Sequence, residues 1–198
     1  MQALTHDDAL VWCEARSVRV SSSRHLYFTL DSPHSLLLDL PAPNRAHDLA
    51  RALLPQPQEA LLWIRPRTAW SESPGDKLFR GLRVAWGIEQ PVAEKPALLF
   101  PPSEHSHLLA AILPALLFGW DAYLVPAPFQ PKGSGAQSSH VSNAAGTGPA
   151  DTACFAFITQ DVVCLVTRSK EIQDALAGQL RPFNPQADSS WYSRRLQP

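Results

Sequence analysis

Two kinds of apolar pattern alternate along the chain. HLYFTLD (25–31) switches polarity at every residue, which sets Leu26, Phe28 and Leu30 on one face of a strand. SLLLDL (35–40) does the same with Leu36, Leu38 and Leu40, leaving Leu37 on the opposite face. The turn residues Asp31-Ser32-Pro33-His34 lie between them, so the two segments are expected to pair as a β-hairpin. ALLWI (60–64) is apolar throughout and reads as a strand buried on both sides, and PALLF (96–100) reads as a short strand. A second hairpin is expected in ACFAFITQDVVCLVTR, turning at Gln160–Asp161. That register sets Cys164 opposite Phe157 and Cys154 opposite Thr167, with the two cysteines on opposite faces.

The helical period appears elsewhere. Thr5 with Asp8 announces a helix from about His6 to Arg16. Asn44 is expected to cap a helix whose apolar positions Ala46, Leu49, Ala50, Leu53 and Leu54 share one stripe. In SPGDKLFRGLRVAW, Ser73 is the expected N-cap and Pro74 the first helical residue. Leu78, Phe79, Leu82, Ala85 and Trp86 are assigned there to the buried face, and Lys77, Arg80 and Arg83 to the solvent face. Ser103 is expected to cap an apolar helix that contains Pro114 and stops at Gly119, ahead of a strand begun by Trp120. Ser169 caps the last one, with Ile172, Ala175, Leu176 and Leu180 inward. FQPKGSGAQSSHVSNAAGTGPAD (129–151) has no apolar period and is expected to be a mobile loop.

These elements predict one α+β (or α/β) domain over residues 1–198: a single mixed sheet of about five to seven strands packed with helices. An irregular tail is expected at 182–198. Its aromatic pair Trp191 and Tyr192 either docks on the domain or serves a partner. Nineteen prolines against nine glycines make many connections stiff. The net charge of −1 lacks the basic field of a nucleic-acid-binding surface. The apolar run Leu108–Phe118 is too short to span a bilayer, which takes about twenty residues. MQALTHDDALVW has no basic start followed by an apolar run, so no secretory signal is expected and the cytoplasm is the expected location.

Candidate chemistry is sparse. Glu104-His105-Ser106-His107 resembles a metal motif, yet residues two apart on a helix point to different sides, so no metal and no cofactor is expected. No nucleophile elbow or phosphate-binding glycine loop is present. The basic and aromatic positions Arg65, Arg67, Trp70, Arg80 and Arg83 carry more weight. Arginine beside an exposed aromatic is the composition of protein-binding hot spots.

In order along the chain, Leu62-Trp63-Ile64, Leu82-Arg83, Leu99-Phe100, Glu104 and Gly119-Trp120-Asp121 form a pattern that resembles a group of uncharacterised bacterial proteins. The likeness covers about residues 45–125, and Arg67-Thr68-Ala69-Trp70 matches the group's tryptophan-bearing turn only in part. It implies a shared fold and a bacterial origin; no activity comes with it. The resulting expectation leans away from an enzyme. It is a non-enzymatic interaction module that binds another protein through Arg65, Arg67, Trp70, Arg80 and Arg83, an immunity or accessory factor being one example. The alternative is an enzyme or small-ligand-binding protein whose pocket joins Glu104, His105 and Asp121 under the 129–151 loop.

Overall fold

The computed structural model describes residues 1–21, 27–31, 33–64, 74–118, 121–126, 153–159, 161–188 and 190–191. Among them, ten strands and five α-helices form an α+β fold. The strands are β1 (Gln2–Leu4), β2 (Arg19–Ser21), β3 (Tyr27–Thr29), β4 (His34–Asp39), β5 (Ala60–Ile64), β6 (Ala97–Phe100), β7 (Ala122–Pro126), β8 (Cys154–Ile158), β9 (Val162–Thr167) and β10 (Gln186–Ala187). The helices are α1 (His6–Glu14), α2 (Ala46–Leu53), α3 (Pro74–Ala85), α4 (His105–Phe118) and α5 (Lys170–Gln179).

Eight strands form one sheet in the order β1-β6-β5-β7-β8-β9-β4-β10, while β2 and β3 form a separate pair. Every described pairing is antiparallel, so the sheet has more strands than expected and is not mixed. The α/β alternative, which requires parallel strands, is thereby set aside.

The sheet is covered on both faces. Leu62, Ile64, Leu98, Leu124, Ala156 and Leu165 point to a core shared with α2, α3, α4 and α5. Leu61, Trp63, Tyr123, Phe155, Phe157 and Val166 point the other way, to α1, Phe28 of β3 and Val20 of β2. Because both faces are buried, β5 and β8 need no polar alternation, which is why ALLWI and CFAFI are apolar from end to end.

The hairpin of β8 and β9 has the expected register, with Cys154 opposite Thr167 and Phe157 opposite Cys164. Cys154 enters the helix-covered core and Cys164 the other one. The first expected hairpin does not form. β3 turns back to β2, and β4 inserts between β9 and β10 in the main sheet. The alternation located the buried faces correctly, with Leu36 and Leu38 in one core and Leu37 against the other. Alternation carries no information about which strand lies alongside. The carboxylate of Asp31 joins the two sheets, pairing with Arg19 at 3.1 Å and Arg168 at 3.2 Å.

Helix ends follow local chemistry. Thr5 accepts from the Asp8 amide at 3.2 Å, and the Ser169 hydroxyl accepts from Ile172 at 3.4 Å. Asn44 and Ser103 do not act as N-caps. Each lies in a 3-10 turn, Pro43–Arg45 or Pro102–Glu104, that leads into its helix. α4 continues through Pro114 as one element. The end of α1 is a Schellman turn, in which Val18 N–H donates to Cys13 and Ser17 N–H to Glu14. Ser17 sits there at φ 59°, a conformation that favours glycine. Ser17→Gly is expected to raise stability by about 0.5–1 kcal/mol, read as a higher urea midpoint at unchanged m.

The expected irregular tail is ordered in its first part: Gln186 and Ala187 add an eighth strand beside Leu37 and Leu36. Trp191 packs against the α1-side core, so the tail docks on its own domain up to that residue. Among the described residues, no helix is long and apolar enough to cross a membrane.

Candidate functional site

The registers define two ends of the sheet. Phe100, Ala60 and Pro126 lie at one, and Ala97, Ile64 and Ala122 at the other. α4 starts just after Phe100 and runs to the opposite end. With 14 residues at 1.5 Å each, it separates Glu104 from Asp121 by about 20 Å. Glu104, His105 and Asp121 therefore do not line one pocket. The segment expected as a lid, 129–151, lies outside the described residues. Its flanks Pro126 and Ala153 are both at the Glu104 end.

Glu104 has a local role. One carboxylate oxygen holds the amine of Met1 at 2.6 Å, and the other faces His107 Nδ1 at 3.7 Å. The hydrogen bond from that amine is the main cause that holds the carboxyl below its ordinary range. His105 is half-buried, and burial lowers its pKa, which favours the neutral ring. His107 turns toward Trp86, with ring centroids 5.6 Å apart. Among the described residues, no group of three His, Cys, Asp or Glu side chains is placed to hold a metal ion.

Burial shields all three thiols in this fold. Cys13, Cys154 and Cys164 are buried and unpaired with one another, and burial pushes each pKa up to about 12. Ellman's reagent is expected to titrate none of them in the native protein at pH 8, and all three after denaturation.

Of the residues expected to meet a partner, Arg65, Arg67 and Trp70 lie outside the described residues. Arg80 and Arg83 are described, and they part company. Arg80 is exposed on α3. Arg83 is only 2% exposed and donates to the carbonyls of Gln90 at 2.9 Å and Lys95 at 3.1 Å. Burial presses its pKa below the usual arginine value. Its assignment to the solvent face is corrected: it holds the return segment from α3 to β6.

The cause is a rotation of α3 relative to the expected one. Phe79, Leu82, Arg83 and Trp86 face inward, whereas Leu78 and Ala85 are exposed. A Schellman turn follows, with Ile88 N–H donating to Arg83 and Gly87 N–H to Val84, and Gly87 adopts φ 73°. Trp86 meets Phe100 edge-on at 6.0 Å, so α3 ends where α4 begins. The chain then returns along α3 through residues 88–96, with Ile88 and Val92 buried beneath it.

Between α3 and this return segment lies an open pocket of about 480 Å³. Arg80, Arg83 and Val84 line its helix side, and Ile88, Glu89 and Val92 the other. Val84 is 71% exposed at its margin. Val84, Ile88 and Val92 were not singled out from the sequence. The Gly87 stop, followed by a short connection to a strand, was the available signal that a chain segment must fold back along the helix. Gly81 lies on the same outward face, and a methyl group in place of its hydrogen would meet nothing within 4 Å. Gly81→Ala is accordingly expected to stabilise the fold by about 0.5–1 kcal/mol in thermal or urea denaturation.

The fold thus defines an antiparallel, two-faced α+β domain with an arginine-bearing pocket beside α3. No family model matches the chain, and neither a curated protein nor a solved structure matches it.

Proposed function

We propose that the chain is a non-enzymatic protein-interaction module that meets its partner through the outward face of α3. The observation that carries this reading is the co-location of an exposed cation, Arg80, with the exposed Val84 at the rim of a pocket of mixed lining, where Ile88, Pro91 and Val92 stand beside Arg83, Glu89 and Gln90. An isolated exposed valine needs no explanation, but an exposed valine beside arginine at the edge of a recess with both apolar and polar walls has the make-up of a protein contact. Two further facts support it. The Glu104–His105–Asp121 grouping that an enzyme or ligand-binding reading needs is split between opposite ends of α4. The cysteines are buried and protonated at neutral pH. An immunity or accessory factor of the cytoplasm is one example of such a module and belongs to the same proposal; only its bacterial origin rests on the sequence resemblance.

Affinity capture from the native cell with three baits tests it: the unaltered chain, Arg80→Glu and Val84→Glu. A protein recovered by the unaltered bait and lost with both variants, at unchanged bait stability, supports the reading. Identical capture by all three baits, or capture of nothing, counts against it.

A further inference from the structure

The pocket beside α3 carries opposite charges at its two ends. Arg83 adds no available donor fork to it, because its two Nη groups are engaged by the carbonyls of Gln90 and Lys95. The exposed charges of the lining are Arg80 on the helix and Glu89 on the return segment. Neither has an ion-pair or hydrogen-bond partner among the described residues. The helix sets their order. Val84 stands one turn after Arg80, and Glu89 comes just beyond the Gly87 stop. Cation and anion are therefore roughly 10 Å apart along the axis, at the rise of a helix, with Val84 between them. Ile88 and Val92, buried beneath the helix, supply the apolar wall opposite.

Resting on the α3 reading above, we infer that the partner seats an extended segment here with an acidic, an aliphatic and a basic side chain in turn. The acid meets Arg80, the aliphatic chain enters between Val84 and Val92, and the base meets Glu89. Charge complementarity selects this occupant. A segment of one sign sets one of its two charges against a like charge at one end of the pocket, and like-charge contacts suppress wrong partners. The spacing fits an extended chain. Alternate side chains share a face, so the first, third and fifth span about 13 Å, a length that the flexible Arg80 and Glu89 side chains accommodate. Both charges stand at the rim in solvent, where such pairs set selectivity more than affinity.

Peptide titration of the isotope-labelled whole chain tests it, read by the amide chemical shifts of residues 80–93 at low salt. The probes are blocked at both ends so that only side chains carry charge: Asp-Ala-Leu-Ala-Lys, Asp-Ala-Leu-Ala-Asp, Lys-Ala-Leu-Ala-Lys and Asp-Ala-Ala-Ala-Lys. The first is expected to bind roughly two- to tenfold tighter than either single-sign peptide, a margin that shrinks as salt is raised. The peptide without leucine is expected to lose most of the shifts. Charge reversal should then move the preference. Arg80→Glu is expected to favour the Lys/Lys peptide and Glu89→Arg the Asp/Asp peptide, and the double reversal is expected to favour the mixed one again. Both positions are exposed, so thermal midpoints should stay unchanged. Equal binding of all four peptides, shifts with none of them, or a preference that the reversals leave in place overturns the inference. Capture that depends on Val84 can survive each of those results, so failure of the charge order is distinguishable from failure of the α3 reading.

Discussion

Phe28→Ala is expected to lower stability by about 3–5 kcal/mol, the upper range for truncating a buried side chain. Phe28 is 0% exposed and is the member of β3 that enters the core on the α1 side of the sheet. Its ring stacks on Tyr123 at 3.9 Å, and Tyr123 stacks in turn on Phe157 at 4.5 Å. Trp63 meets Phe28 edge-on at 5.6 Å, and Phe155 lies at 5.8 Å. Three main-sheet strands, β5, β7 and β8, therefore converge on one side chain of the small sheet. Aromatic contacts of this kind add about 0.5–1.5 kcal/mol each beyond area burial, so the cavity left by alanine also forfeits specific geometry. In urea the midpoint should fall by roughly 1–2 M. Phe28→Leu, which fills most of the volume, should retain most of the stability. A loss below about 1 kcal/mol for alanine would mean that β2 and β3 are not anchored through this ring.

Arg83→Leu is the second large effect, expected at about 2–4 kcal/mol. Leucine matches the apolar surroundings of Phe79 but leaves the carbonyls of Gln90 and Lys95 without their donor. Charge-assisted hydrogen bonds of this type contribute about 1.5–3 kcal/mol, and an abandoned acceptor costs more than the bond's net worth. Arg83→Lys should recover only part, because an ammonium lacks the planar fork that reaches two acceptors in one plane. Arg80→Ala, three residues earlier on the same helix, should change stability by no more than about 0.5 kcal/mol. Urea denaturation of this set separates an internal staple from a surface cation. Equal, small losses at both positions would return Arg83 to the surface.

Much of the framework was legible because it depends on local signals. Thr5 and Ser169 cap helices by reaching their own N3 amides, so their sequence context suffices. The β8–β9 register follows from one tight turn and two apolar runs. Elements that depend on distant partners were not legible. β4 looked like half of a local hairpin, yet its neighbours are β9 and β10, more than a hundred residues away. Arg83 was placed outside because a charged residue on an amphipathic helix normally is. What draws it inward is a pair of backbone carbonyls in the return segment, and hydropathy has no column for acceptors. Glu104 and Asp121 are close in sequence, but a 14-residue helix between them is a spacer, not a bridge.

The central functional claim concerns one face of one helix, and the fold supplies its own control. Val84 and Val11 are both exposed valines, 71% and 67%, on α3 and α1, which cover opposite faces of the sheet. Titration calorimetry of the captured partner against the unaltered chain, Val84→Glu, Arg80→Glu and Val11→Glu is the direct measurement. The α3 reading predicts at least a tenfold loss of affinity for Val84→Glu and Arg80→Glu, about 1.4 kcal/mol or more, with Val11→Glu unchanged. Equal affinity across all four chains, or a loss confined to Val11→Glu, would contradict it.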